Sequence, residues 1–219
     1  MTVSTIEADG VGTSIWDGGV APLGVHSKKF SMWMFIISDA LTFTALLVAY
    51  SYLRVASKEW PLAFHFFPSI VVSTVMTLFL LTSSITMVFA VAAAHQGRTA
   101  AAFKWIWGTI AGGVAFLVLH ANEWRTLIEE GLRTNSNPWG NPLFGATFFT
   151  ITGLHMLHVT IGVGILIVIS LGYKSGKYPA DYVEISGLYW HFVDLVWMFV
   201  FPLIYLLSVA PPGATHWVS

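Results

Sequence analysis

The chain has 219 residues, 56% of them hydrophobic and only 10% charged, with a mean hydropathy of +0.72 and a net charge of −1. A water-soluble domain carries about 25% charged residues, so these charges cannot cover the surface of a soluble globule, and a bilayer is the fitting solvent. The near-zero charge gives no electrostatic grip on nucleic acid, and the lack of cysteine excludes disulfides, iron–sulfur clusters and thiolate metal sites.

In chain order, residues 1–27 read as an N-terminal arm. They hold Glu7, Asp9 and Asp17 but no basic start and no apolar core, so they do not read as a secretory signal. Crossing a hydrocarbon layer of about 30 Å takes roughly 20 apolar residues in a helix. Five stretches meet or approach that length. Residues 30–52 carry one charge, Asp39, and 66–94 carry none. The stretch 105–121 is the shortest; 143–173 is uncharged, and 185–209 carries only Asp194. Between them lie polar connectors at 54–65, 95–104, 123–142 and 174–184, the third rich in Asn, Pro and Gly. The expected fold is all-α: a polytopic membrane protein with an antiparallel bundle of five transmembrane helices over 28–210, then a short C-terminal tail, 211–219. Lys28, Lys29, Arg98, Lys104, Lys174 and Lys177 fall on the N-terminal side, against Arg54, Lys58, Arg125 and Arg133 on the other. This bias predicts a cytoplasmic N-terminus and an external C-terminus.

The ionisable residues within the spans carry the most information, because a charge at the bilayer centre costs about 2.5–3.5 kcal/mol on insertion scales. Asp39 lies nine residues into the first span, roughly 14 Å deep, and is expected to be protonated or hydrogen-bonded by a neighbouring helix. It reads equally as a proton-linked carboxyl and as a helix–helix hydrogen bond. His120 and Glu123, three apart, share a helical face, as do His155 and His158, which are expected to reach toward Glu123. In the last span His191 and Asp194 are expected to satisfy each other as an inter-helix lock, with Trp190 and Trp197 beside them. A haem between His191 and either His120 or His155 is a formal alternative. Gly108, Gly112, Gly162 and Gly164 are expected to let helices approach closely.

Three stretches resemble signatures of cytochrome c oxidase subunit III: 30–39 (FSMWMFIISD), 153–162 (GLHMLHVTIG) and 189–197 (YWHFVDLVW). Asn122, Glu123 and Trp124 are similar to that family's acid-plus-aromatic position, and order and spacing match from Lys28 to Leu207. The mitochondrial form has seven helices and a Glu where this chain has Asp39, so the five-span pattern is similar to bacterial versions, including the quinol-oxidising branch. The resemblance implies a subunit with no redox cofactor of its own in a bacterial inner membrane. Haem and copper would sit in partner subunits I and II, with subunit I the main contact. It further implies phospholipid binding and support of proton uptake and turnover stability, with Asp39, Glu123, His155, His158, His191 and Asp194 forming the buried framework. A nitric oxide reductase accessory subunit and a proton-linked transporter are the alternatives.

Overall fold

The computed structural model describes residues 27–211. The expected arm and tail therefore lie outside the described residues, save for Ser27 and Pro211. In lipid a backbone finds no outside partners, so each apolar run closes its own hydrogen-bond ladder. The result is α1 (Ser27–Ala56), α2 (Val71–His95), α3 (Thr99–Glu129), α4 (Leu143–Lys174) and α5 (Ala180–Val200). A π-helical turn, Phe66–Ile70, leads into α2, and another, Phe201–Tyr205, extends α5 into a 3-10 turn, Leu206–Ser208. The second turn coincides with Pro202, whose missing N–H breaks the regular ladder. Among the described residues there is no strand, only an isolated bridge between Phe64 and Val209.

With their adjoining turns, the five helices run 29 to 32 residues each and are long and apolar enough to cross a membrane. At 1.5 Å per residue that is about 45 Å, enough for the headgroup layers as well. This corrects the expected third span. The stretch 105–121 sits within a 31-residue helix, Thr99–Glu129, so residues 99–104 of the connector before it and 123–129 of the connector after it are helical. Apolar counting stops at Lys104 and Glu123, but the helix does not: Lys104 is exposed, and Glu123 is buried among hydrogen-bond partners.

Helices α2, α3 and α4 stop in the same way. Gly97, Gly131 and Gly176 take φ of +70°, +100° and +74° just past each helix, a region where side chains clash and glycine does not. The following amides, Arg98, Leu132 and Lys177, then donate back to the carbonyls of Ala93, Leu127 and Gly172, satisfying otherwise orphaned groups. Only three residues separate α2 from α3, which forces an antiparallel hairpin.

Small residues set the packing. A Cβ on Gly112 would lie 2.7 Å from Ser83, and one on Gly108 3.6 Å from Thr86, so α3 approaches α2 closely along this stripe. Thr86 and Thr109 hydroxyls meet across it at 2.8 Å. Gly113 and Gly162 make room for the Trp190 ring, which a Cβ on Gly113 would meet at 2.4 Å. Gly164 differs from expectation: it faces outward and has no neighbouring helix against it. Helix α5 is the central element, with 50% of its most apolar window buried, against 6% for α1. Helix α1 is therefore a peripheral rib. It is tied at one end by Lys29–Glu184 at 2.5 Å and by Lys28 to Tyr182. At the other end Arg54 caps the end of the chain's last helix, through the Ser208 hydroxyl at 3.0 Å and the Leu207 carbonyl.

Candidate functional site

Three polar seams cross the apolar bundle. The first joins the rib to the core. Asp39 on α1 and His158 on α4 approach to 3.2 Å (Oδ2 to Nε2), with both side chains mostly buried. His158 Nδ1–H donates to the Leu154 carbonyl at 2.7 Å, which fixes the ring and leaves Nε2 for the carboxyl. The contact is electrostatic in reach but not aligned as a hydrogen bond, since Asp39 Oδ2 has no well-oriented donor. Phe43 packs edge-on against the same imidazole, centroids 5.4 Å apart. A double-mutant cycle tests the pair. Asp39→Leu and His158→Leu, measured by unfolding in mixed micelles, should show a coupling of about 1 kcal/mol. Additivity within about 0.3 kcal/mol would mean the two residues act independently.

The second seam lies at the far end of α3. Glu123 accepts from the Ser73 hydroxyl at 2.8 Å and from the Tyr205 hydroxyl at 2.7 Å, while His120 Nδ1 stands 3.4 Å away. His120 is fully buried, as is His155, whose Nε2–H donates to the Val193 carbonyl at 3.1 Å. Both imidazoles pack against Phe116 and Trp197, with ring centroids 5.1–5.6 Å apart. Trp197 donates its indole N–H to Thr77 at 2.9 Å.

The third seam runs along two adjacent serines of α2. Trp190 donates to the Ser83 hydroxyl at 3.0 Å, and the Ser84 hydroxyl meets His191 Nδ1 at 2.6 Å. Ser84 also interacts with the carboxyl of buried Asp194.

This placement brings some of the sequence-selected residues together and parts others. His120 and Glu123 meet, but His155 and His158 diverge. Three residues on a helix differ by about 60° around the axis, and here that sends His155 inward and His158 to Asp39. Neither bonds Glu123. His191 and Asp194 do not pair directly; each turns to Ser84 on α2, so the lock is made between helices through a serine and not within α5. The haem arrangement is not assembled: aromatic rings fill the space beside His120 and His155, and His191 belongs to another seam. Among the described residues no group of three or more His, Asp or Glu side chains converges as metal ligands.

Sequence reading missed the hydroxyl partners. Ser73, Thr77 and Ser84 recur at a spacing of four and then seven, one face of α2, and that periodicity was the available signal. Tyr205 and Arg54 gave none, because their partners lie 82 and about 154 residues away.

One apolar groove of about 660 Å³ runs between α1 and α5, lined by residues such as Phe43, Leu47, Val48, Phe192, Leu195 and Phe199. Asp39 of the Asp39–His158 contact is next in sequence to Ala40 and one helical turn from Phe43, both at its wall.

Five membrane-crossing helices, a peripheral first rib and buried His–carboxylate seams define an integral, polytopic helical membrane protein. The sequence matches the family described as cytochrome c oxidase subunit III over residues 12–209, and the chain belongs to that family. It is 32% identical to cytochrome c oxidase subunit 3 of Alkalihalophilus pseudofirmus, over 86% of this chain and 91% of that protein. It is also 32% identical to the protein of that name from Thermostichus vulcanus, over 93% and 98%. It is 33% identical to cytochrome bo(3) ubiquinol oxidase subunit 3 of Pseudomonas putida, over 81% and 84%.

Proposed function

We propose that this chain is the non-catalytic subunit III of a proton-translocating haem–copper terminal oxidase in aerobic respiration. The observation that carries the reading is the family match across the whole five-helix bundle, from the first helix to the end of the last. Haem and copper would then belong to partner subunits I and II, with subunit I packed on this bundle. Relatives named for cytochrome c and for ubiquinol both align over most of the chain, so either serves as the donor class.

Within that assignment the α1–α5 groove is the phospholipid position. Its walls are apolar and its mouth opens along a helix that the rest of the chain leaves largely uncovered, which suits an acyl chain. The Asp39–His158 contact beside it would stiffen this wall and hold a titratable group near the membrane centre, a placement suited to supporting proton uptake. The excess of basic residues on the N-terminal side supports an N-terminus in the cytoplasm of a bacterium and a C-terminus outside its inner membrane. Lys28 and Lys29 share their end of the bundle with His95, Tyr182 and Glu184, as five antiparallel crossings require in either orientation.

Gentle affinity purification of this chain from native membranes tests the proposal. A haem- and copper-containing large subunit should co-purify, while the chain stripped of partners is colourless. A chain that purifies alone and transports protons in liposomes would replace the oxidase reading with a transporter. A Soret band on the stripped chain would do the same in favour of a cytochrome.

A further inference from the structure

A second pocket, of about 460 Å³, lies away from the α1–α5 groove, where the end of α3, the loop at 132–135 and α4 meet. Its two ends differ in chemistry. The deep end is Trp124, Ile128 and Phe149, with the Trp124 and Phe149 rings perpendicular at 5.0 Å. Trp124 spends its indole N–H on Thr152 at 3.2 Å, so this end offers no free indole donor. The shallow end is Arg133, Thr134 and Asn135 on the polar loop. Phe149 and Thr150 sit six and seven residues into α4, about 10 Å along its axis. The pocket therefore straddles the boundary between headgroups and acyl chains.

Arg133 is exposed, and its guanidinium has no hydrogen-bond or ion-pair partner among the described residues, whereas Arg125 is paired with Glu129 at 2.8 Å. The loop that presents it is fixed in place. Gly131 reverses the chain at φ +100°, and the Arg133 amide donates to the Ser136 carbonyl at 2.9 Å. The Arg133 carbonyl lies so close over Gly145 that a Cβ there would come within 2.2 Å of it. An unpaired guanidinium carried on a fixed loop at the rim of an apolar slot matches an anion with a hydrocarbon tail, because its planar fork binds phosphate oxygens two at a time. The α1–α5 groove has no cation in its lining and offers no such selection.

We propose that this pocket binds one anionic phospholipid, its phosphate on Arg133 and the upper part of an acyl chain against Trp124, Ile128 and Phe149. The inference rests on the membrane-spanning fold and not on the oxidase assignment. The test is native mass spectrometry of the chain in its purified complex, delipidated and then titrated with phosphatidylglycerol or phosphatidylcholine in mixed micelles. The parent should retain one more phosphatidylglycerol than phosphatidylcholine per chain. Arg133→Ala should weaken that extra site roughly tenfold, and Thr150→Trp, at an exposed wall position, should fill the slot and abolish it with Arg133 intact. Ala40→Phe, in the other groove, should leave it unchanged. Equal retention of both lipids by the parent, or an unchanged count in both pocket variants, would overturn the proposal. So would an Arg133→Glu variant that sheds a partner subunit while keeping its lipid count, which would assign the pocket to an acidic side chain of that partner.

Discussion

Glu123→Ala is expected to lower the unfolding midpoint by about 6–12 °C, the shift for roughly 3 kcal/mol in a chain of this size. The carboxyl is the acceptor that ties the end of the last helix to α3, through Tyr205 at 2.7 Å, and to α2, through Ser73 at 2.8 Å. Ser73 can fall back on the Ser69 carbonyl at 2.9 Å. Tyr205, fully buried, has no second acceptor among the described residues. Leaving a buried donor unpaired costs about 1–3 kcal/mol, and the vacated carboxyl adds a void next to His120. Glu123→Gln keeps an acceptor oxygen and should recover most of the loss. Far-UV circular dichroism during heating in detergent measures both. A Glu123→Ala midpoint within about 2 °C of the parent would show that Tyr205 is held by packing alone.

Trp197→Ala is expected to be at least as damaging, because it removes a ring on α5 that packs against α2, α3 and α4 together. Trp197 is fully buried and touches Phe116 of α3 at 4.8 Å, His155 of α4 at 5.1 Å and Tyr205 at 5.7 Å, besides its bond to Thr77 of α2. Truncating a buried Trp to Ala costs about 3–5 kcal/mol where the surroundings cannot collapse, and four helices meeting at one ring have little freedom to do so. Trp197→Phe keeps a ring in place and forfeits the Thr77 hydrogen bond, a milder loss of about 1 kcal/mol. The readouts are the thermal midpoint and the yield of partner subunits in affinity purification. If alanine and phenylalanine at 197 behaved alike, ring packing at this position would contribute nothing beyond the Thr77 hydrogen bond.

How far the site was legible depended on how local each partnership is. His120 and Glu123 are three residues apart on one helix, so spacing alone puts them on one face, and the structure joins them at 3.4 Å. Asp39 and His158 were both conspicuous as ionisable groups within apolar runs, but nothing in either run says that α1 lies against α4. The same helical periodicity misled at His155 and His158, since sharing a face leaves about 60° between them, enough to point at different neighbours. For His191 and Asp194 the sequence offered each to the other. The nearer partner was Ser84, a residue whose small hydroxyl gives no sign of itself in a hydropathy count.

The sequence by itself determined the solvent, the number of crossings, the end of the bundle at which each connector lies and the family. These follow from runs of apolar residues and from long local motifs, since a long continuous apolar run in lipid satisfies its own backbone as a helix. Span lengths were less legible, because helices run on through charged residues that can reach the interface or find a buried partner, as Lys104 and Glu123 do. Only the tertiary structure decided that α5 is central and α1 peripheral, and that α2 supplies the hydroxyls. The same holds for the two unlike pockets on the surface. In a bilayer, outward and inward faces are equally apolar, so hydropathy cannot tell which side of a helix meets lipid and which meets protein. That distinction is made by small residues and paired polar groups whose partners lie tens of residues away, and it becomes visible only when the helices are brought together.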